Sequence, residues 1–173
     1  MKKYYVLCLV GWLLCSCKGN EKQNLIDKIE TTKQEVSNSI ELNDSAAIRM
    51  LGYLNEFTKK YPKDSLAASY WFESASMFRY LHQPHPALEI YKKLYNEYPQ
   101  FPKHADCLFL QGMVLSNEMN QKEAGKKIYQ EFVQKYPDHF LAPQVQILIE
   151  QMNMTDAELI ESFKKKDTTQ VIN

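Results

Sequence analysis

The sequence predicts an all-α fold: a short right-handed solenoid of antiparallel helix pairs, with a capping helix at each end. Two observations carry that reading. Three Tyr-Pro pairs recur, Tyr61-Pro62, Tyr98-Pro99 and Tyr136-Pro137, with their prolines 37 and 38 residues apart. A fixed period of this size marks a repeated supersecondary unit. Each period also holds two amphipathic runs, one before the Tyr-Pro and one after it. Proline lacks an amide hydrogen and disfavours helix at the residue before it, so each pair reads as a helix stop.

The N-terminus comes first. Met1-Lys2-Lys3 is positive, and Tyr4–Leu14 is an apolar run of 11 residues. A bilayer-spanning helix needs about 20, so the run suits the core of a secretory leader. Leu14-Cys15-Ser16-Cys17 resembles the bacterial lipobox, with an aliphatic residue three before the modified cysteine and a small one just before it. The resemblance implies lipid attachment at Cys17, a leader of residues 1–16 and a lipid-anchored tether over 17–24. Lys18 follows the cysteine where an inner-membrane retention signal would carry aspartate, which favours an outer-membrane anchor facing the periplasm. Removing Lys2 and Lys3 leaves 19 basic against 21 acidic residues, a net charge of −2 over 157 residues. With no basic excess, nucleic acid is excluded as a partner class.

The repeat domain is expected over 25–166. Leu25, Ile26, Ile29, Val36 and Ile40 recur at near-helical spacing and predict a capping helix from Gln23 to Ser37. The next helix spans Ser45 to Lys60. Runs from Ser65 to Leu81, Pro102 to Asn117 and His139 to Met152 supply the first helix of each later unit. Ala87–Glu97 and Gly125–Lys135 supply second helices. Gln83-Pro84-His85-Pro86 and Asn117–Gln121 break the pairs, and such short loops make neighbouring helices antiparallel.

The middle unit resembles the tetratricopeptide repeat. Trp71, Ala75, Phe78, Ala87, Tyr91 and Pro99 stand at its large, small, large, small, large and proline positions. The next unit gives Leu108, Gly112, Leu115, Tyr129 and Pro137. Ala75 and Gly112 each lie 13 residues after the preceding repeat proline, so the register holds. The extra residue of the longer period is read as a loop insertion, with Gly125 at the small position of the second helix. Glu150 falls where a small residue is expected in the last unit, as suits a repeat that caps a stack. Thr155 and Glu158 have capping-box spacing for a final helix, with Ala157, Leu159, Ile160 and Phe163 as its apolar face and Lys164-Lys165-Lys166 at its end. Residues 167–173 are read as a frayed tail.

The chemistry-bearing residues form no catalytic pattern. His82, His85, His104 and His139 lack metal-ligand spacing, and His82 and His85 flank a proline turn. Phosphate loops and hydrolase motifs are missing, so no metal, cofactor or catalysis is expected. Once the leader is removed and Cys17 acylated, Cys107 alone remains, so no intramolecular disulfide can form. It is read as a small core residue, with Lys103 and His104 leaving a reactive thiol open.

The resemblance implies a groove lined by first helices: Ser69, Phe72, Ser76, Arg79 and Tyr80, then Asp106, Phe109, Met113 and Asn117, then Ile147 and Gln151. Phe72, Phe109 and Met113 beside Arg79 suit an extended or helical peptide. The alternative for these aromatics is packing between helices. The chain is similar in style to tetratricopeptide lipoproteins of the Bacteroidota envelope, and its units look like those of the barrel-assembly lipoprotein and the Tol–Pal coordinator. The expected function is a membrane-anchored adaptor that binds an envelope protein or peptide segment. The alternatives are an accessory role in outer-membrane protein assembly or envelope constriction, and a self-assembling structural subunit.

Overall fold

The computed structural model describes residues 2–38, 44–155 and 157–161, with side chains from residue 20 onward. Ile40, the end of the expected final helix with Phe163 and Lys164–Lys166, and the tail 167–173 lie outside the described residues. The fold is all-α: α1 (Lys2–Asn38), α2 (Asp44–Lys60), α3 (Ala67–Tyr80), α4 (Pro84–Glu97), α5 (His104–Met113) with a π-turn (Val114–Glu118), α6 (Lys122–Lys135) and α7 (Ala142–Gln151). Residues 157–161 are also helical. Consecutive helices pack as in a tetratricopeptide-like solenoid. The chain divides into two compact units, Met1–Ile90 and Tyr91–Asn173.

The three Tyr-Pro stops fold identically. Each tyrosine amide closes the last α-helical bond, to Phe57, Leu94 or Phe132 O at 2.8, 3.1 and 2.8 Å. Each tyrosine carbonyl then accepts from the residue three on, Asp64, Phe101 or His139, at 3.1, 3.0 and 3.1 Å. That is a β-turn, with proline supplying the fixed φ at its second position. A further bond, from the amides of Ala67, His104 and Ala142, launches the next helix each time.

In the first unit α2 lies between α1 and α3. Leu25 and Ile29 of α1, Met50, Leu54 and Phe57 of α2, and Tyr70 of α3 form the core. The Tyr70 ring meets Phe57 edge-on at 4.7 Å, and Tyr61 sits 5.1 Å from Phe57 on the other side. Ion pairs surround this core. Glu21 meets Lys60 at 2.7 Å and Lys33 meets Glu73 at 2.7 Å, while Lys22 pairs with Asp64 and Arg49 with Glu35. The early residues of α1 therefore face the end of α2, and its late residues face the start of α2. In the structure residues 17–24 are helical, as part of α1. Buried Leu25 and Ile29 fix the helix, and Glu21 and Lys22 already have partners on neighbouring elements.

In the second unit Leu108, Tyr129, Phe132, Ala142, Val145 and Ile149 form the core. Gly112 and Gly125 bring α5 and α6 together. A Cβ on Gly125 would meet Gly112 O at 2.8 Å and Ser116 N at 2.9 Å; one on Gly112 would meet the Tyr129 ring at 2.6 Å. No side chain larger than hydrogen fits at this approach, which is the small-residue contact expected from the register.

The extra residue of the longer period corrects the sequence reading. It is taken up within the helix, not in the loop. His82 and Asn120 occupy the same left-handed turn position, both at φ 54°. They lie 38 residues apart, whereas Phe78 and Leu115, at equivalent helix positions, lie 37 apart. The insertion falls between Leu115 and Asn120, where Met119 N donates to Val114 O at 3.0 Å across five residues. One added residue in a helix gives this wide turn when the flanking contacts stay fixed.

α7 turns Ala142, Val145 and Ile149 towards α6 and leaves Glu150 exposed. Beyond it, Thr155 Oγ1 and its amide both bond Glu158 Oε2 at 2.8 Å, forming the expected capping box.

Candidate interaction surface

The residues expected to line a groove fall into two sets. Phe72, Arg79 and Tyr80 sit half-buried on α3, Phe72 and Arg79 along the side away from Tyr70, which is buried against Phe57 of α2. Helical spacing puts Phe72 and Arg79 seven residues apart on one face. Ser76 on the same side returns its hydroxyl to Phe72 O at 3.2 Å.

The second set is spent differently. Phe109 lies 5.8 Å from the Tyr129 ring and 6.0 Å from Phe132, and Met113 packs on the same core. Both are half-buried parts of the α5–α6 contact. Asn117 is exposed on the π-turn, where its Oδ1 accepts from Ser116 Oγ at 2.9 Å. Asp106 points a buried Oδ1 towards His139 Nε2 at 3.5 Å.

Sequence reasoning missed the most exposed aromatic among the described residues. Phe140, Ile147 and Met154 are 73%, 43% and 39% exposed. Ile147 lies on the side of α7 turned from α6, and Phe140 and Met154 are exposed in the turns before and after the helix. Ile147 was expected there from the register. Phe140 was not: the turn position equivalent to half-buried Phe101 is His139, and Phe140 lies one residue beyond it.

His104 is held in a network of hydrogen bonds and ring contacts. His104 Nε2 donates to Tyr95 O at 2.8 Å, its Nδ1 meets the Tyr136 hydroxyl at 3.0 Å, and its ring stacks on Tyr95 at 4.5 Å. Burial, with Tyr95 alongside, pushes the Tyr136 phenol up to about 12. His82 sits exposed at its left-handed turn. Cys107 is fully buried, and burial together with Asp106 pushes its thiol up to about 12. A thiol so protonated is a core filler, not a nucleophile. Among the described residues no group of three or more His, Cys, Asp or Glu is placed to hold a metal ion. None of the described helices is long and apolar enough to cross a membrane. A polar recess of about 280 Å³ lies between α1 and α2, walled by Asp27, Lys28, Thr31, Glu35, Arg49 and Tyr53.

With this geometry in place, comparison with protein families is informative. Residues 106–139 match the family model of the tetratricopeptide repeat. The match begins on α5 and ends in the third Tyr-Pro turn, so it brackets the Gly112–Gly125 contact. A search of the curated proteins finds no match. The fold class is thus a tetratricopeptide-like helical repeat, an architecture that serves as a scaffold for protein–protein interaction.

Proposed function

We propose that this protein is a non-enzymatic adaptor of the bacterial envelope, held at the outer membrane by lipid on Cys17. Its repeats present helix faces to a protein or peptide segment. The observation that carries the interaction role is the repeat itself, matched over 106–139 and closed by the glycine contact. The anchor rests on the Leu14-Cys15-Ser16-Cys17 motif after a short apolar run. Two surfaces suit a partner: Phe72, Arg79 and Tyr80 on α3, and the exposed apolar residues Phe140, Ile147 and Met154 of α7 and its flanking turns. Exposed apolar surfaces of this kind are typical of interaction sites. An accessory part in barrel assembly or envelope constriction would use the same surfaces.

The anchor is tested by fractionating cells that express Cys17→Ala. The variant is expected in the soluble fraction, and its retention on the membrane would remove the lipid assignment. The partner surface is tested by placing a photo-crosslinking residue at position 147 or 72 in cells. Adducts are expected from those positions and not from Glu89, an exposed residue on α4. The α7 surface also suits a second copy of the chain. If the adduct at 147 has twice the chain mass and contains only this protein, the self-assembling reading replaces the adaptor.

A further inference from the structure

We infer that the first unit stands end-on against the bilayer, with the lysine-rich end of the α1–α2 pair on the phospholipid headgroups. The inference rests on the lipid attachment proposed above for Cys17, and deepens it from an address to an orientation. A loose tether of seven residues would allow the domain about 25 Å of play. The structure removes most of that slack. Glu21, four residues after Cys17, holds Lys60 at the end of α2, and Lys22 pairs with Asp64 in the turn beyond. Four residues cover about 6 Å as helix and no more than about 14 Å fully extended. Leu25, buried to 3% exposure, fixes the helix one turn later.

Cys17 therefore lies within a short reach of one end of the α1–α2 pair. That end holds the end of α2, with Lys59 and Lys60, and the Tyr61-Pro62-Lys63-Asp64 turn. Lys22 of α1 joins them, giving four lysines around the acidic Glu21, Glu56 and Asp64. Lys59 and Lys63 are exposed. Lys22 and Lys60 are held in ion pairs, so it is exposed Lys59 and Lys63 that favour an anionic headgroup layer over bulk water. The opposite end of the pair carries Glu35, Ser37 and Asn38. Ser37 lies 16 residues from Glu21, about 24 Å further along the helix. The two ends should differ sharply in their distance from the membrane.

The test uses the full acylated protein in vesicles of phosphatidylethanolamine and phosphatidylglycerol that contain a headgroup-spin-labelled lipid. A bimane is attached at Lys63→Cys or, separately, at Ser37→Cys. Buried Cys107, with its raised thiol, stays unlabelled. Quenching several-fold stronger at 63 than at 37 is expected, and Lys59→Glu should reduce it at 63. Equal quenching at both positions on vesicle-bound protein overturns the orientation and leaves the anchor intact. No change with Lys59→Glu removes the lysine contact. Protein that fails to bind vesicles at all overturns the anchor and the orientation together.

Discussion

The two units use one turn and two kinds of core. In both, a tyrosine before proline packs back on the aromatic one helical turn earlier: Tyr61 on Phe57 at 5.1 Å, and Tyr136 on Phe132 at 5.6 Å. Around that shared feature they diverge. The first unit wedges Tyr70 edge-on against Phe57 and ties α1 to its neighbours with ion pairs. The second presses two glycines together and lets α7 cover one side only. The repeat fixes where helices stop. How closely they approach is set by single residues within it.

The largest effect should come from removing the shared aromatic. Phe57 and Phe132 are both fully buried. Phe57→Ala or Phe132→Ala should each cost about 3–5 kcal/mol, from lost transfer energy plus the cavity left behind. Urea denaturation followed by circular dichroism measures it. A loss below about 1 kcal/mol at either site would mean that the shared feature is not a common core.

Gly125→Ala sharpens the difference between the units. The new methyl would meet backbone atoms of Gly112 and Ser116, which cannot rotate away. Overpacking of this kind costs about 1–3 kcal/mol, offset by up to about 1 kcal/mol of helix propensity. Gly112→Ala meets the Tyr129 ring at 2.6 Å, a buried side chain stacked on Phe109, and Gly125 O at 3.3 Å. It should destabilise as well in the same denaturation series, by about 1–3 kcal/mol.

How far the sequence could be read follows from these contacts. The stops were legible because proline acts locally, through its own ring. Gly112 and Gly125 were legible because a small residue at a fixed offset from proline has one geometric use. The helical state of 17–24 was not: buried Leu25 and Ile29 fix α1, and the partners of Glu21 and Lys22 lie about forty residues on, at Lys60 and Asp64. The π-turn was hidden for a related reason: Val114–Glu118 reads as an ordinary helix end, and only fixed contacts on both sides force the extra residue into the helix. Phe109 and Met113 have the register of a groove and the packing of a core, because the glycine contact brings α6 close enough to reach them.

Acid should loosen the first unit. The Lys22 ammonium, then the Leu66 amide at 2.9 Å, hold the Asp64 carboxyl below the usual range. Lys60 does the same for Glu21. A carboxylate whose pKa is lower when folded contributes stability above its unfolded value, and that contribution is lost as pH falls through the folded one. The ties of α1 should therefore hold at neutral pH and weaken below about pH 4. Hydrogen exchange over residues 20–38, measured as pH is lowered and corrected for intrinsic rates, reads this directly. Protection that persists unchanged through acid would assign the hold on α1 to Leu25 and Ile29 alone.

The smallest effect is the most discriminating, because it repeats a substitution with the opposite sign. Gly52 also sits inside a helix, α2, but a Cβ there would meet nothing within 4 Å. With no contact to break, Gly52→Ala should express only backbone entropy and stabilise the protein by about 0.5–1 kcal/mol. Gly125→Ala carries the same entropic gain and loses it to the backbone of α5. The difference between the two measured values isolates the α5–α6 approach. If Gly52→Ala destabilises as Gly125→Ala does, the glycines share a backbone requirement, and close packing is not what sets the second unit apart.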